Sequence, residues 1–160
     1  MNISANSRVW VYQSDRPFTQ VEEIDIQERL DRFIGDWQAH GHQLAAAFEI
    51  RYSRFIILFV DEEIAGATGC SIDKSVNLMK TIEQEFKVQL FNRFNIAYRE
   101  NQEVLSCERE EFEKLIATGK INENSIVFNN LIQTKAELET AWEVPFKASW
   151  HARVFTLIAS

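Results

Sequence analysis

Residues 55–60, Phe-Ile-Ile-Leu-Phe-Val, are apolar without interruption. A short run that is apolar on both faces predicts a central strand covered from both sides. Upstream, Leu44, Ala46, Phe48, Ile50 and Tyr52 alternate with weaker or polar neighbours, which predicts a strand with one wet face. Ser53-Arg54 is the tight connection between the two. Arg8 to Gln13 (RVWVYQ) is short and rich in β-branched and aromatic residues, so it reads as an earlier strand. Between them, Val21, Ile24, Leu30, Phe33, Ile34 and Trp37 recur at helical spacing and predict an amphipathic helix over 20–38. Thr19 and Glu22 supply a capping box at its start, and His40-Gly41-His42 ends it.

After the apolar run comes Gly66-Ala67-Thr68-Gly69-Cys70-Ser71-Ile72-Asp73, a glycine-bearing turn. Ile72, Val76, Met79, Ile82 and Phe86 then mark a second helix. Ser71 or Asp73 is the expected cap of that helix. Phe94, Ile96 and Tyr98 alternate as a fourth strand, and Glu100-Asn101-Gln102 turns into a short fifth near 103–106. A third helix is expected over 108–117, with acidic residues in its first turn and Gly119 as its stop. Ile126-Val127-Phe128 is a further short strand, and Thr134 with Glu137 opens a helix that must end by Pro145.

The order through residue 99 is β-α-β-β-α-β. This predicts an α+β fold with a ferredoxin-like split βαβ antiparallel sheet and a C-terminal α/β elaboration. The expected organisation is a single domain over 1–160, with a core in 1–100 and the elaboration in 101–160. In such a sheet the third strand ends where the second begins. His40-Gly41-His42, the 61–73 loop, Arg8 and Arg99 would then share one edge.

Composition narrows the function classes. A formal net charge of −7 argues against a general nucleic-acid binder, which needs a basic face. No apolar run approaches the roughly 20 residues that span a bilayer, and the N-terminal residues lack the pattern of a signal peptide. Two cysteines, Cys70 and Cys107, make no disulfide framework. These features predict a cytoplasmic chain with reduced thiols, without nucleic-acid or membrane partners.

The candidate chemistry gathers at the turn before the second helix. Cys70 near a helix N-terminus has the setting of an activated nucleophile, with His40 or His42 as its base. Buried packing is the competing reading of the same cysteine. Gly69, Ser71, Asp73 and Arg8 are the candidate ligand-binding residues, because free helix amides and a guanidinium suit a small anion. Ser71-Ile72-Asp73-Lys74 fits the serine–lysine pattern S-x-x-K, but its companion motifs are missing. The Walker A pattern is absent from the whole chain, which excludes a P-loop ATPase. Asp61, Glu62 and Glu63 lack metal-ligand spacing and read as a solvated turn. No motif implies a cofactor.

Several segments together carry a family resemblance: Arg8-Val9-Trp10-Val11-Tyr12-Gln13, Ala39-His40-Gly41, Phe55-Ile56-Ile57-Leu58, Gly69-Cys70-Ser71-Ile72-Asp73, Phe128-Asn129-Asn130-Leu131, and Val144-Pro145 through Trp150. On these the chain resembles, over nearly its full length, a family of small bacterial proteins often given the automatic label "ABC transporter ATPase". The resemblance marks His40 and Cys70 as motif positions and implies no established activity. The leading expectation is a binding or interaction module that holds a small anion or a protein partner near Cys70. The alternative is a thiol-dependent enzyme using Cys70 with His40 or His42. A homodimer through the sheet is a third expectation, by analogy with the fold.

Overall fold

A computed structural model describes residues 3–63 and 65–155. The chain forms two compact units. One is Met1–Phe91 with Gln133–Ala136, and the other is Asn92–Ile132 with Glu137–Ser160.

The first unit is built on a three-stranded antiparallel sheet of β1 (Arg8–Gln13), β4 (Ala45–Arg51) and β5 (Phe55–Asp61). β5 lies between the other two. Phe55 to Val60 are each 0% exposed, which is why this strand can be apolar on both faces. Tyr52 and Ser53 both have positive φ, and the Arg54 amide donates to the Arg51 carbonyl at 3.1 Å. This is a tight hairpin turn of the primed kind, made without glycine. α1 (Gln20–Asp36) starts at the expected capping box: Thr19 Oγ1 accepts from the Glu22 amide, and Glu22 Oε1 accepts from the Thr19 amide. Ile26 and Leu30 are fully buried, and Trp37, at the end of the helix, is 1% exposed. α2 (Gly69–Phe86) buries Met79 and Ile82 in the same core as Tyr12, Ile56, Leu58 and Val60.

His40-Gly41-His42 does more than end α1. It belongs to a small hairpin of β2 (Gln38–Ala39) and β3 (His42–Gln43), in which Ala39 faces His42. Both loop residues have positive φ, 50° at His40 and 77° at Gly41. A two-residue hairpin turn of this kind needs that conformation, and glycine adopts it without a Cβ clash.

The expected ferredoxin-like order is met only in the coarser sense of an α+β chain with antiparallel sheets. The strand expected to be fourth, around Phe94, Ile96 and Tyr98, is β6 (Ile96–Glu100), and it does not join β1. It pairs instead with β7 (Glu103–Cys107), with Glu100 opposite Glu103 and Asn101 at φ 57° in the turn. A two-residue hairpin costs little loop-closure entropy, whereas a return to β1 would close a loop of some eighty residues. The free side of β1 is bridged instead by residues 133–136. The Val9 amide donates to the Gln133 carbonyl at 3.0 Å, and the Lys135 amide to the Ser7 carbonyl at 2.9 Å.

In the second unit β6 and β7 extend to β8 (Ile126–Phe128) and β9 (Glu143–Pro145), in the order β7-β6-β8-β9. Its core gathers around Phe112 of α3 (Arg109–Ala117), with Tyr98, Val127, Phe146 and Phe155. The expected helix after Thr134 is α4 (Lys135–Thr140), and α5 (His151–Val154) follows a 3-10 turn at Phe146–Ala148.

Candidate functional site

The β-register places Arg8 opposite Val60 and Ala45 opposite Asp61, so these residues mark one end of the first sheet. The chain leaves β5 there through a polar turn. The Asp61 carboxylate accepts from the Glu63 amide at 3.2 Å, and Glu62 Oε2 accepts from the Ala67 amide at 2.9 Å. The carboxylates of Asp61 and Glu62 are thus engaged locally. Among the described residues no group of three or more His, Cys, Asp or Glu is arranged to hold a metal ion.

α2 begins earlier than a cap at Ser71 or Asp73 would place it. Its cap is Thr68, not Ser71 or Asp73. Thr68 Oγ1 accepts from the Ser71 amide at 3.2 Å, and Ser71 Oγ accepts from the Thr68 amide at 2.7 Å. The signal was present as T-x-x-S, a capping box in which serine takes the place usual for glutamate. Ser71 Oγ also donates to the Thr68 carbonyl at 2.9 Å, and the residue is 1% exposed. A hydroxyl so occupied is a structural element, which removes the serine–lysine reading. Asp73 is exposed on the helix surface.

With Thr68 serving the third helical amide, those of Gly69 and Cys70 make no hydrogen bond among the described residues. Both residues belong to the lining of a cleft of about 500 Å³, with Gln38, His40, Gly41, Thr68, Ser71 and Lys74. Among the described residues no carboxylate lines it. Cys70 is exposed with a free thiol, and His40 is exposed on the β2–β3 turn. Trp37, outside the cleft's lining, donates from Nε1 to the carbonyl of the lining residue Ser71 at 2.8 Å. That bond ties the end of α1 to the first turn of α2.

Asp73 does not line the cleft, and three other expected members lie elsewhere. His42 is exposed on β3 and does not line the cleft. The Arg8 guanidinium sits 4.7 Å from the centre of the Trp10 ring, held by a cation–π contact. Arg99 belongs to the second unit and pairs with Glu143 at 2.6 Å. Of the residues predicted as the site, the fold brings together His40, Gly69, Cys70 and Ser71. It adds Lys74, Thr68, Gln38 and Gly41.

Cys107 differs from Cys70. It is half-buried in β7, and burial, followed by the charges of Glu111 and Glu108, pushes its thiol up to about 11. No helix among the described residues is long and apolar enough to cross a membrane. No family model matches the chain, and no curated protein or solved structure matches it either.

Proposed function

We propose that this chain is a binding module that holds a small anionic ligand at the N-terminus of α2, without catalysis. The observation that carries this reading is that Gly69 and Cys70, whose amides make no hydrogen bond among the described residues, line a cleft whose charged side chain is Lys74. A helix start offers about half a positive charge and oriented N–H donors. The described lining of the cleft holds no carboxylate to oppose it. On this reading the first unit is a split βαβ variant that ends after its second helix, working in a reducing, cytoplasmic setting. The small bacterial family is proposed as its kin on the motif residues His40 and Cys70, without ATP hydrolysis.

The test is a titration of the isotope-labelled protein with inorganic phosphate, following backbone amide resonances. Saturable shifts centred on Gly69 and Cys70, weakened in Lys74→Gln, are expected. Phosphate at tens of millimolar that leaves both amides unmoved defeats the reading.

The second reading, a thiol-dependent enzyme, is favoured by one observation: Cys70 and His40 line the same cleft. It predicts that an alkylating reagent at neutral pH modifies Cys70 rapidly, and more slowly after His40→Ala. Equal rates in the two proteins would remove His40 as a base. A protein partner or a second copy of the chain is a separate expectation. A monomeric mass at all concentrations would remove the dimer.

A further inference from the structure

We propose that a second groove, between α1 and α2, binds an aromatic anion, with its ring on Phe33 and Leu78 and its negative group between Arg32 and Lys74. The helical repeat builds this groove. Arg29, Arg32, Phe33 and Asp36 recur at three- and four-residue spacing along one face of α1, and Lys74 and Leu78 are four apart on α2. The space between them measures about 570 Å³, within the range of small-molecule sites.

Its charges are not equivalent. Arg29 is consumed: it pairs with Asp25 at 2.8 Å and with Glu85, and its guanidinium lies over Phe86. Arg32 and Lys74 make no ion pair among the described residues. A protein with net charge −7 therefore presents two cations without an ion pair on one groove, against Asp36, the one lining carboxylate without an ion pair among the described residues. The floor is apolar and aromatic. Phe33 is half-buried, with its ring 4.9 Å from that of Trp37, and Leu78 lies opposite on α2. A lone inorganic anion would leave this floor unused, and a neutral arene would leave both cations unused. An arene bearing a phosphate, sulfonate or carboxylate uses both.

The site is distinct from the cleft at Cys70. The two share Lys74, but Arg32, Phe33 and Leu78 line only the groove. The test titrates the full-length, isotope-labelled protein with 1-naphthyl phosphate, 1-naphthol and inorganic phosphate, reading amide shifts and the Trp37 indole resonance. Saturable shifts at Arg32, Phe33, Trp37, Lys74 and Leu78 are expected with 1-naphthyl phosphate. Either half-ligand should bind at least about tenfold more weakly, the loss of one charge-assisted contact or one ring's burial. Arg32→Gln, at an exposed position, should weaken 1-naphthyl phosphate about tenfold and leave phosphate-induced shifts at Gly69 and Cys70 unchanged. The proposal is overturned if 1-naphthyl phosphate produces no saturable shift, if 1-naphthol binds as tightly, or if Arg32→Gln binds like the parent. Shifts confined to Gly69 and Cys70 would also overturn it, while supporting the anion cleft.

Discussion

The start of α2 is the hinge of the candidate site, and its cap can be tested by substitution. Thr68→Ala removes the oxygen that accepts from the Ser71 amide, while the Thr68 amide keeps its own acceptor, Ser71 Oγ. Ser71→Ala does the reverse and also deletes the hydroxyl bond to the Thr68 carbonyl. Loss of a threonine cap costs about 1–2 kcal/mol, and the upper half of that range applies because Ser71 is 1% exposed and water cannot readily replace the lost acceptor. Ser71→Ala should cost about the same. The two bonds close one reciprocal ring, so the double variant should cost less than the sum, by about 0.5–1 kcal/mol. Asp73→Ala, on the exposed face and outside the box, should stay within about 0.5 kcal/mol of the parent. Urea unfolding gives the stabilities, and amide hydrogen exchange across residues 69–75 shows whether the loss is local. The reasoning is refuted if Asp73→Ala costs as much as Thr68→Ala, or if the two cap substitutions are strictly additive.

Two acid transitions should separate on the pH axis. Burial lowers His151 from 6.5 to about 4, so the unfolded chain binds the proton first as pH falls. Its contribution is complete above 6.5 and is lost between 6.5 and about 4; His151→Phe should flatten the urea midpoint over that window. Glu22 is held down to about 2, first by its hydrogen bond from Arg16. Its contribution is present above 4.5 and lost as pH falls toward 2, a slope that Arg16→Gln should reduce in the same measurement. Alkylation at neutral pH, read by mass spectrometry, should label exposed Cys70 well before Cys107, whose thiol stands at about 11; equal labelling would contradict the burial of Cys107.

Much of this protein could be read along the chain because the governing interactions are local. The Thr19–Glu22 box, the period of α1 and α2, and the unbroken apolar run of β5 each depend on residues a few positions apart. All three stand in the structure at nearly the expected bounds. The α2 cap was also local, but T-x-x-S competes with Ser71 and Asp73 as candidate caps. Only the backbone angles of Thr68 settle the choice.

What sequence alone could not decide is which distant pieces meet. The alternation at residues 94–98 specifies a strand but not its partner. The cheap hairpin to β7 takes that strand from β1, and Arg99 goes with it to pair with Glu143. The same holds for the site. The order of the chain put His40, His42, Arg8 and Cys70 on one expected edge. The left-handed turn at His40-Gly41, the Trp37–Ser71 bond and the Arg8–Trp10 contact then sorted them. His40 and Cys70 share a cleft, while His42 and Arg8 stand outside it. Local propensity determines elements; long-range pairing and side-chain direction, which determine a site, exist only once the core has closed.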